Sequence, residues 1–249
     1  MKTLKTASRE DVYTAPVIPW NNGTYTPISN KFIMDFIEDK INNNGLSVQN
    51  QNYAVATTTS GLIKGVIGTY DITTGDGTFG QRLVFRNSYD KSMSFAFAVG
   101  LVVFCCTNGC IKGDYQYKRV HRGVITDDGS TTIEDVTENV TNGFGVMNEA
   151  FENNVRQLNG LRQIEIGPTD IYDIIGDLFL KKEVVNVSQM SIIKKELHYS
   201  TNFKHLGDPD FTAYDLYNHI TESLKKSHPY TYMHDHIVTH RLFEDVFNI

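Results

Sequence analysis

Hydrophobic and polar positions change their spacing twice along the chain. Residues 1–26 show no period and read as an arm lying over the fold. From Ser29 to Gly45 the spacing is helical: Phe32, Ile33, Phe36, Ile37 and Ile41 form one apolar stripe. The Ser29 hydroxyl suits the cap of that helix and Gly45 the left-handed residue that stops it. From Leu46 to about Val124 the period becomes two, in segments rich in Val, Ile, Tyr and Phe that are separated by Ser-Gly, Gly-Asp-Gly, Tyr-Asp-Lys and Thr-Asn-Gly turns. This predicts an antiparallel meander. In its central strand Met93, Phe95, Phe97, Val99, Leu101 and Val103 alternate with the small Ser94, Ala96, Ala98 and Gly100, so one face packs deep side chains and the other admits a helix at close range.

After Asp127-Asp128-Gly129 the helical period returns and stays. A long helix is predicted from Thr131 or Thr132 towards Leu161, weakened by Gly143 and Gly145, and four more follow: behind Pro168, over 187–200, over 212–226 and over 232–247. Strands first and helices afterwards define an α+β fold, with an antiparallel β-meander (about residues 46–124) packed with an N-terminal helix and a C-terminal helical half. With 249 residues the chain suits one α+β domain over 1–249, made of the 1–26 arm, a helix plus meander over 27–128 and a helical half over 129–249.

Charge sharpens that division. The net charge is −6, yet residues 1–132 carry +2 and 133–249 carry −8, and within 82–122 seven basic residues face only Asp90 and Asp114. A polyanion is therefore compatible with this acidic chain. The longest apolar run, Phe95 to Cys106, is shorter than the roughly 20 residues a membrane-spanning helix needs, and no apolar stretch follows the basic N-terminus as a secretory signal would require. The expected partners exclude a membrane and the expected location is the cytoplasm. Cys105, Cys106 and Cys110 have no cysteine elsewhere to pair with and read as core thiols.

Several patterns resemble reactive sites and fail on context. Gly75-Asp76-Gly77-Thr78-Phe79-Gly80 matches G-x-G-x-x-G, but an alternating strand follows where a dinucleotide loop needs a helix, so a hairpin turn is expected and no cofactor. Seven of the eight histidines follow residue 197, and His236 and His240 have i, i+4 spacing, but no converging acidic or cysteine partner completes a metal site. Asp170, Asp173 and Asp177 form an acidic ridge that a solvated helix face explains. No nucleophile, base and orienting group can be assembled, so the reading is non-enzymatic.

The strongest functional feature is the segment from Lys112 to Arg122. Alternation places Tyr115, Tyr117, Arg119 and His121 on one face and Lys118 and Arg122 on the other, the mixture of stacking and phosphate-pairing groups that single-stranded nucleic acid requires. With Arg82, Arg86 and Lys91 from the preceding strands, these residues are the expected nucleic-acid-binding set. A charged edge strand is the plain alternative.

Asn87-Ser88-Tyr89-Asp90-Lys91-Ser92 and Cys106-Thr107-Asn108-Gly109 resemble the Asn-Ser-x-Asp-Gly-Ser and Cys-Ser-Asn-Gly signatures of the phage/plasmid-like domain-of-unknown-function family nine-three-two. Leu216-Tyr217-Asn218-His219-Ile220-Thr221-Glu222 is similar to that family's closing helix. The resemblance spans roughly residues 80–245. The chain departs from the family in having Val102-Val103-Phe104 where an Arg is usual and Val120-His121-Arg122-Gly123 where His-Thr-Gly is usual. The resemblance implies a mobile-element origin and a host bacterial cytoplasm, and it supplies no activity. The layout resembles phage annealing proteins, which implies single-stranded DNA binding in replication or recombination and a homo-oligomer. The alternative is a protein-interaction module acting on a host factor, for example a defence system, through the acidic helices, with a host or phage protein as partner.

Overall fold

The computed structural model describes residues 5–18, 27–73, 77–104, 108–119, 130–228 and 230–249. In the strand Asn108–Arg119 it describes the backbone throughout and the side chains of Asn108, Ile111 and Gln116, and in the helix that starts at Ser130 it describes side chains from Ile133 onward.

The period-two region forms the expected meander: β2 (Val48–Thr57), β3 (Ile63–Thr73), β4 (Phe79–Ser88), β5 (Phe95–Val103) and β6 (Asn108–Arg119) pair antiparallel in sequence order. A sixth strand comes from the arm. β1 (Lys5–Ala7) pairs with β2, and α1 (Arg9–Tyr13) follows, capped by Ser8 in a reciprocal bond with Asp11. Sequence periodicity missed this because the docked piece is held by the single buried Val12 and by Arg9, whose Nε and Nη2 reach Glu38 at 3.0 and 2.6 Å. The Gly75–Gly80 pattern belongs to the β3–β4 connection, where Thr73 opposes Gly80 and a strand follows; residues 74–76 themselves lie outside the described residues.

The two faces of the sheet are built differently. Tyr70, Leu83, Phe85, Phe95, Phe97 and Val99 pack against α2 (Asn30–Asn43) and α3 (Ser130–Leu161). Ser29 Oγ accepts from the Phe32 amide at 3.1 Å, and Gly45 takes φ +67° just beyond the C-terminus of α2. α3 runs unbroken through its glycines. A Cβ on Gly143 would stand 2.4 Å from the Phe97 ring, so glycine is what lets that ring stack on Phe144. On the opposite face Ile67, Val84, Ala96 and Ala98 meet Met233 and Ile237 of α7 (Tyr232–Phe247), the close helix that the small residues admit.

Beyond the sheet edge α4 (Pro168–Gly176), a π-helical turn (Asp177–Lys181), α5 (Val187–Tyr199) and α6 (Ala213–Leu224) enclose a second core with Leu101, Val103, Leu158, Ile174 and Tyr217. Among the described residues no helix is long and apolar enough to cross a membrane.

Candidate functional site

Antiparallel pairing brings the start of β3, the end of β4, the start of β5 and the end of β6 to one end of the sheet. In one transverse row Ile67 opposes Arg86, Arg86 opposes Ala96, and Ala96 opposes Lys118. Arg86 and Lys118, 32 positions apart in sequence, thus have backbones two strand spacings apart, about 10 Å.

Arg86 is the unusual member of that row. Its guanidinium is partly buried and is held by neutral groups: the carbonyl oxygens of Ser94 at 3.3 Å and Tyr230 at 3.4 Å, and the Ser94 hydroxyl at 3.2 Å. Burial lowers its pKa, but a guanidinium stays charged. A cation withdrawn from water beside neutral acceptors keeps an unspent attraction for an anion.

The turn between β4 and β5 builds the rest of this corner. Its base is fixed: Asn87 Nδ2 donates to Ile28 O and to Asn30 Oδ1, both at 2.9 Å, the Asn30 amide donates to Tyr89 Oη at 2.8 Å, and Ser88 Oγ donates to Met93 O at 2.9 Å. The tip is polar. Lys64 Nζ donates to Asp90 Oδ2 at 2.6 Å, the Ser92 amide donates to Asp90 Oδ1 at 3.1 Å, and Ser92 Oγ lies 2.8 Å from Tyr230 Oη. Burial pushes the Asp90 carboxyl up, but the bonds from Lys64 and Ser92 outweigh it and hold the pKa below the usual carboxylate value. Exposed Lys91 occupies the position that is glycine in the resembling signature, and it has φ +62°, a left-handed conformation costly for a side-chain-bearing residue. His228 joins from the loop before α7, its ring 4.5 Å from that of Tyr230. Burial and then the field of Lys64 keep its pKa below the usual value, so it is neutral at neutral pH. Arg86 and the Lys64–Asp90 pair therefore share a corner lined with the hydroxyls of Ser92, Ser94 and Tyr230.

The other expected site residues fall into two groups. Arg82 is in the interior, where Nε and Nη2 reach Asp71 Oδ1 and Oδ2 at 2.6 and 2.9 Å, so its guanidinium is a buried cross-strand clamp away from solvent. Lys112, Tyr115, Tyr117, Lys118 and Arg119 lie on β6, the edge strand, with Tyr117 opposite Phe97 and Arg119 opposite Phe95 in backbone register. Their side chains, and His121 and Arg122 altogether, lie outside the described residues. Lys64, Ser94, His228 and Tyr230 were not expected. Lys64 was legible as a cation on a neighbouring strand, whereas His228 and Tyr230 reach the corner only through the path of the α6–α7 loop.

His236 and His240 serve the interior, and the aspartates of α4 the surface. His240 Nε2 lies 3.1 Å from Gln157 Oε1 and its Nδ1 lies 3.3 Å from Tyr217 Oη, and His236 is buried. Among the described residues no group of three or more His, Cys, Asp or Glu is placed to hold a metal ion. Asp170 accepts from the Gly167 amide at 3.2 Å and Asp177 pairs with Lys181 at 2.6 Å. A cleft of about 340 Å³ lies between Glu165–Ile171 and Leu206–Phe211.

The stretches that carry the family resemblance all hold the fold at specific points. Asn87 ties the β4–β5 turn to α2, and Asn108 on β6 donates to Asn218 O on α6 at 2.9 Å. No curated protein and no solved structure matches the chain. The family described as Domain of unknown function (DUF932) matches residues 21–242, nearly the whole chain and all five strands of the meander, and the protein belongs to that family.

Proposed function

We propose that this protein is a non-enzymatic nucleic-acid-binding protein of phage or plasmid type, acting on single-stranded DNA in replication or recombination. The observation that carries the reading is the Arg86 guanidinium, held by neutral groups only, in a transverse row with Lys118 of the edge strand. Phosphate contacts supply most of the affinity of such proteins, and cations at one sheet end followed by an edge strand bearing Tyr115 and Tyr117 suit a strand that is gripped by its backbone and stacked by its bases. Arg82 has no part in it, since Asp71 already neutralises it. Homo-oligomerisation and a host cytoplasmic setting belong to the same reading. Gel shifts with single- and double-stranded oligonucleotides over a salt series test it: affinity that falls steeply with salt supports it, and no salt-sensitive binding removes it.

A protein-interaction role has its own support on the helical half. Tyr172, Leu180 and Val187 are 59, 74 and 71% exposed, and Tyr172 stands between Asp170 and Asp173 in the sequence of α4. Exposed apolar groups on a surface whose net charge is negative suit a partner protein.

A further inference from the structure

We infer that the corner between the β4–β5 turn and the α6–α7 loop is a subsite for one phosphate group, with Arg86 as its principal ligand and Lys64 and the Ser92 and Ser94 hydroxyls as further donors. The inference rests on the nucleic-acid reading and assigns the phosphate a place within it. Arg86 offers a planar fork of donors, and the groups that now occupy it are long and neutral: Tyr230 O at 3.4 Å, Ser94 O at 3.3 Å and Ser94 Oγ at 3.2 Å. A bidentate phosphate makes shorter, charge-assisted bonds to the same nitrogens. Lys64 is already oriented towards the corner by Asp90, with side chains 19 and 23% exposed. Ser92 Oγ lies at the same carboxylate and beside Tyr230 Oη.

Two features suit this corner to a phosphate. The wall is rigid, because the turn is tied to α2 through Asn87 and Tyr89 and closed on itself through Ser88 and Met93. Two cations reach the corner from different strands, Lys64 from β3 on Asp90 and Arg86 from β4 on Ser94 and Tyr230, whose hydroxyl in turn meets Ser92. The left-handed Lys91 at the tip fits the pattern of backbone strain kept at ligand sites.

The ligand chemistry is shared by an internal phosphodiester and a terminal phosphate, and the test separates them. The full chain is melted in chloride and in inorganic phosphate at equal ionic strength, as wild type, Arg86→Gln and Arg86→Lys. Phosphate also stabilises proteins generally, so the result is read as the difference between variants. The inference expects wild type to gain roughly 2–4 °C more than Arg86→Gln, with Arg86→Lys between them. If Arg86→Gln fails to melt cooperatively, the wild type to Arg86→Lys difference decides. Equal gains in all three overturn the subsite. Gel shifts then compare one oligonucleotide with and without a 5′-phosphate. A loss of about tenfold on Arg86→Gln for both assigns the subsite to an internal phosphodiester, and a loss confined to the phosphorylated form assigns it to the strand end. Salt-sensitive oligonucleotide binding that Arg86→Gln leaves intact overturns the subsite and leaves the nucleic-acid reading standing. A phosphate gain through Arg86 without any oligonucleotide binding keeps the subsite and removes that reading.

Discussion

The side-chain amide of Asn108 donates to the main-chain oxygen of Asn218 at 2.9 Å, joining the edge strand of the sheet to the most buried helix of the second half. Both residues lie in stretches that carry the family resemblance, and the bond gives them a structural role: it closes the seam between the sheet and the helices. Asn218 in turn donates to Tyr214 O one turn earlier on α6, and Asn108 Oδ1 is buried with no hydrogen-bond partner among the described residues. Asn218 O also accepts from Thr221 Oγ1 at 3.2 Å, so removing the Asn108 amide takes one bond from that carbonyl and leaves it satisfied by another. Asn108→Ala is expected to lower stability by about 0.5–1.5 kcal/mol in urea titration. Its oligonucleotide affinity, measured on folded protein, should match wild type.

The Asp71–Arg82 pair makes a second prediction. With both side chains in the interior, Arg82→Met strands the Asp71 carboxylate and is expected to cost about 3–5 kcal/mol. Asp71→Leu takes the carboxylate from a buried guanidinium that Tyr232 still contacts, at somewhat lower cost. Combining the two changes should recover most of the loss, since an apolar pair of matching volume has no desolvation to repay. Additive losses in the thermal melts of the double variant would contradict this account of the clamp.

Gly143 is a third test, this time of packing. Gly143→Ala drives a methyl group into the Phe97 ring and is expected to cost about 1–3 kcal/mol, although alanine is the better helix former. Placed on Phe97→Leu the same change should be close to neutral or stabilising. Phe97→Ala and Leu101→Ala alone should each cost about 2–5 kcal/mol, as deletions from buried positions.

How far the chain could be read from its letters differs between these cases. The five strands of the meander, the Ser29 cap, the Gly45 stop, the small-residue face of β5 and the helices after residue 129 all follow from local spacing, and the fold bears them out. Gly143 was read as a weakness in α3, because the Phe97 ring that needs its bare surface lies 46 positions away. The fate of the arginines was equally illegible. Arg82 and Arg86 are four apart on one strand, and only the register decides that Arg82 meets Asp71 while Arg86 meets Ile67 and Ala96. Composition records two positive charges; it does not record that one is neutralised and the other is not. The arm escaped for another reason, since β1 is three residues long and acquires its order from β2.

Acid should loosen the second core through His219. Its ring is fully buried, stacked on Phe211 with centroids 5.9 Å apart, and its Nε2 lies 2.8 Å from Lys204 O. Burial, the largest influence, lowers its pKa below the usual 6.5 despite the Lys204 carbonyl and nearby carboxylates that raise it. A depressed pKa on a base means that the unfolded chain binds the proton first. Its stabilising share is therefore complete above pH 6.5 and is lost as pH falls from there through the folded value. Melting temperature measured from pH 8 down to 5 should fall more steeply for wild type than for His219→Gln; parallel curves would contradict the assignment.

The sheet end carrying Arg86 and Lys118 is proposed to grip the phosphates of a single strand. That grip is tested most directly by the slope of log affinity against log salt for a single-stranded oligonucleotide, measured by fluorescence anisotropy on wild type, Arg86→Gln, Lys118→Ala and Tyr117→Ala. The account predicts a steep wild-type slope, flattened by about 0.7 for each of the two lost cations. It predicts an unchanged slope for Tyr117→Ala with a loss of about 1–3 kcal/mol from base stacking. A wild type that binds no oligonucleotide in a salt-dependent way, or charge variants whose slopes coincide with it, would contradict the claim.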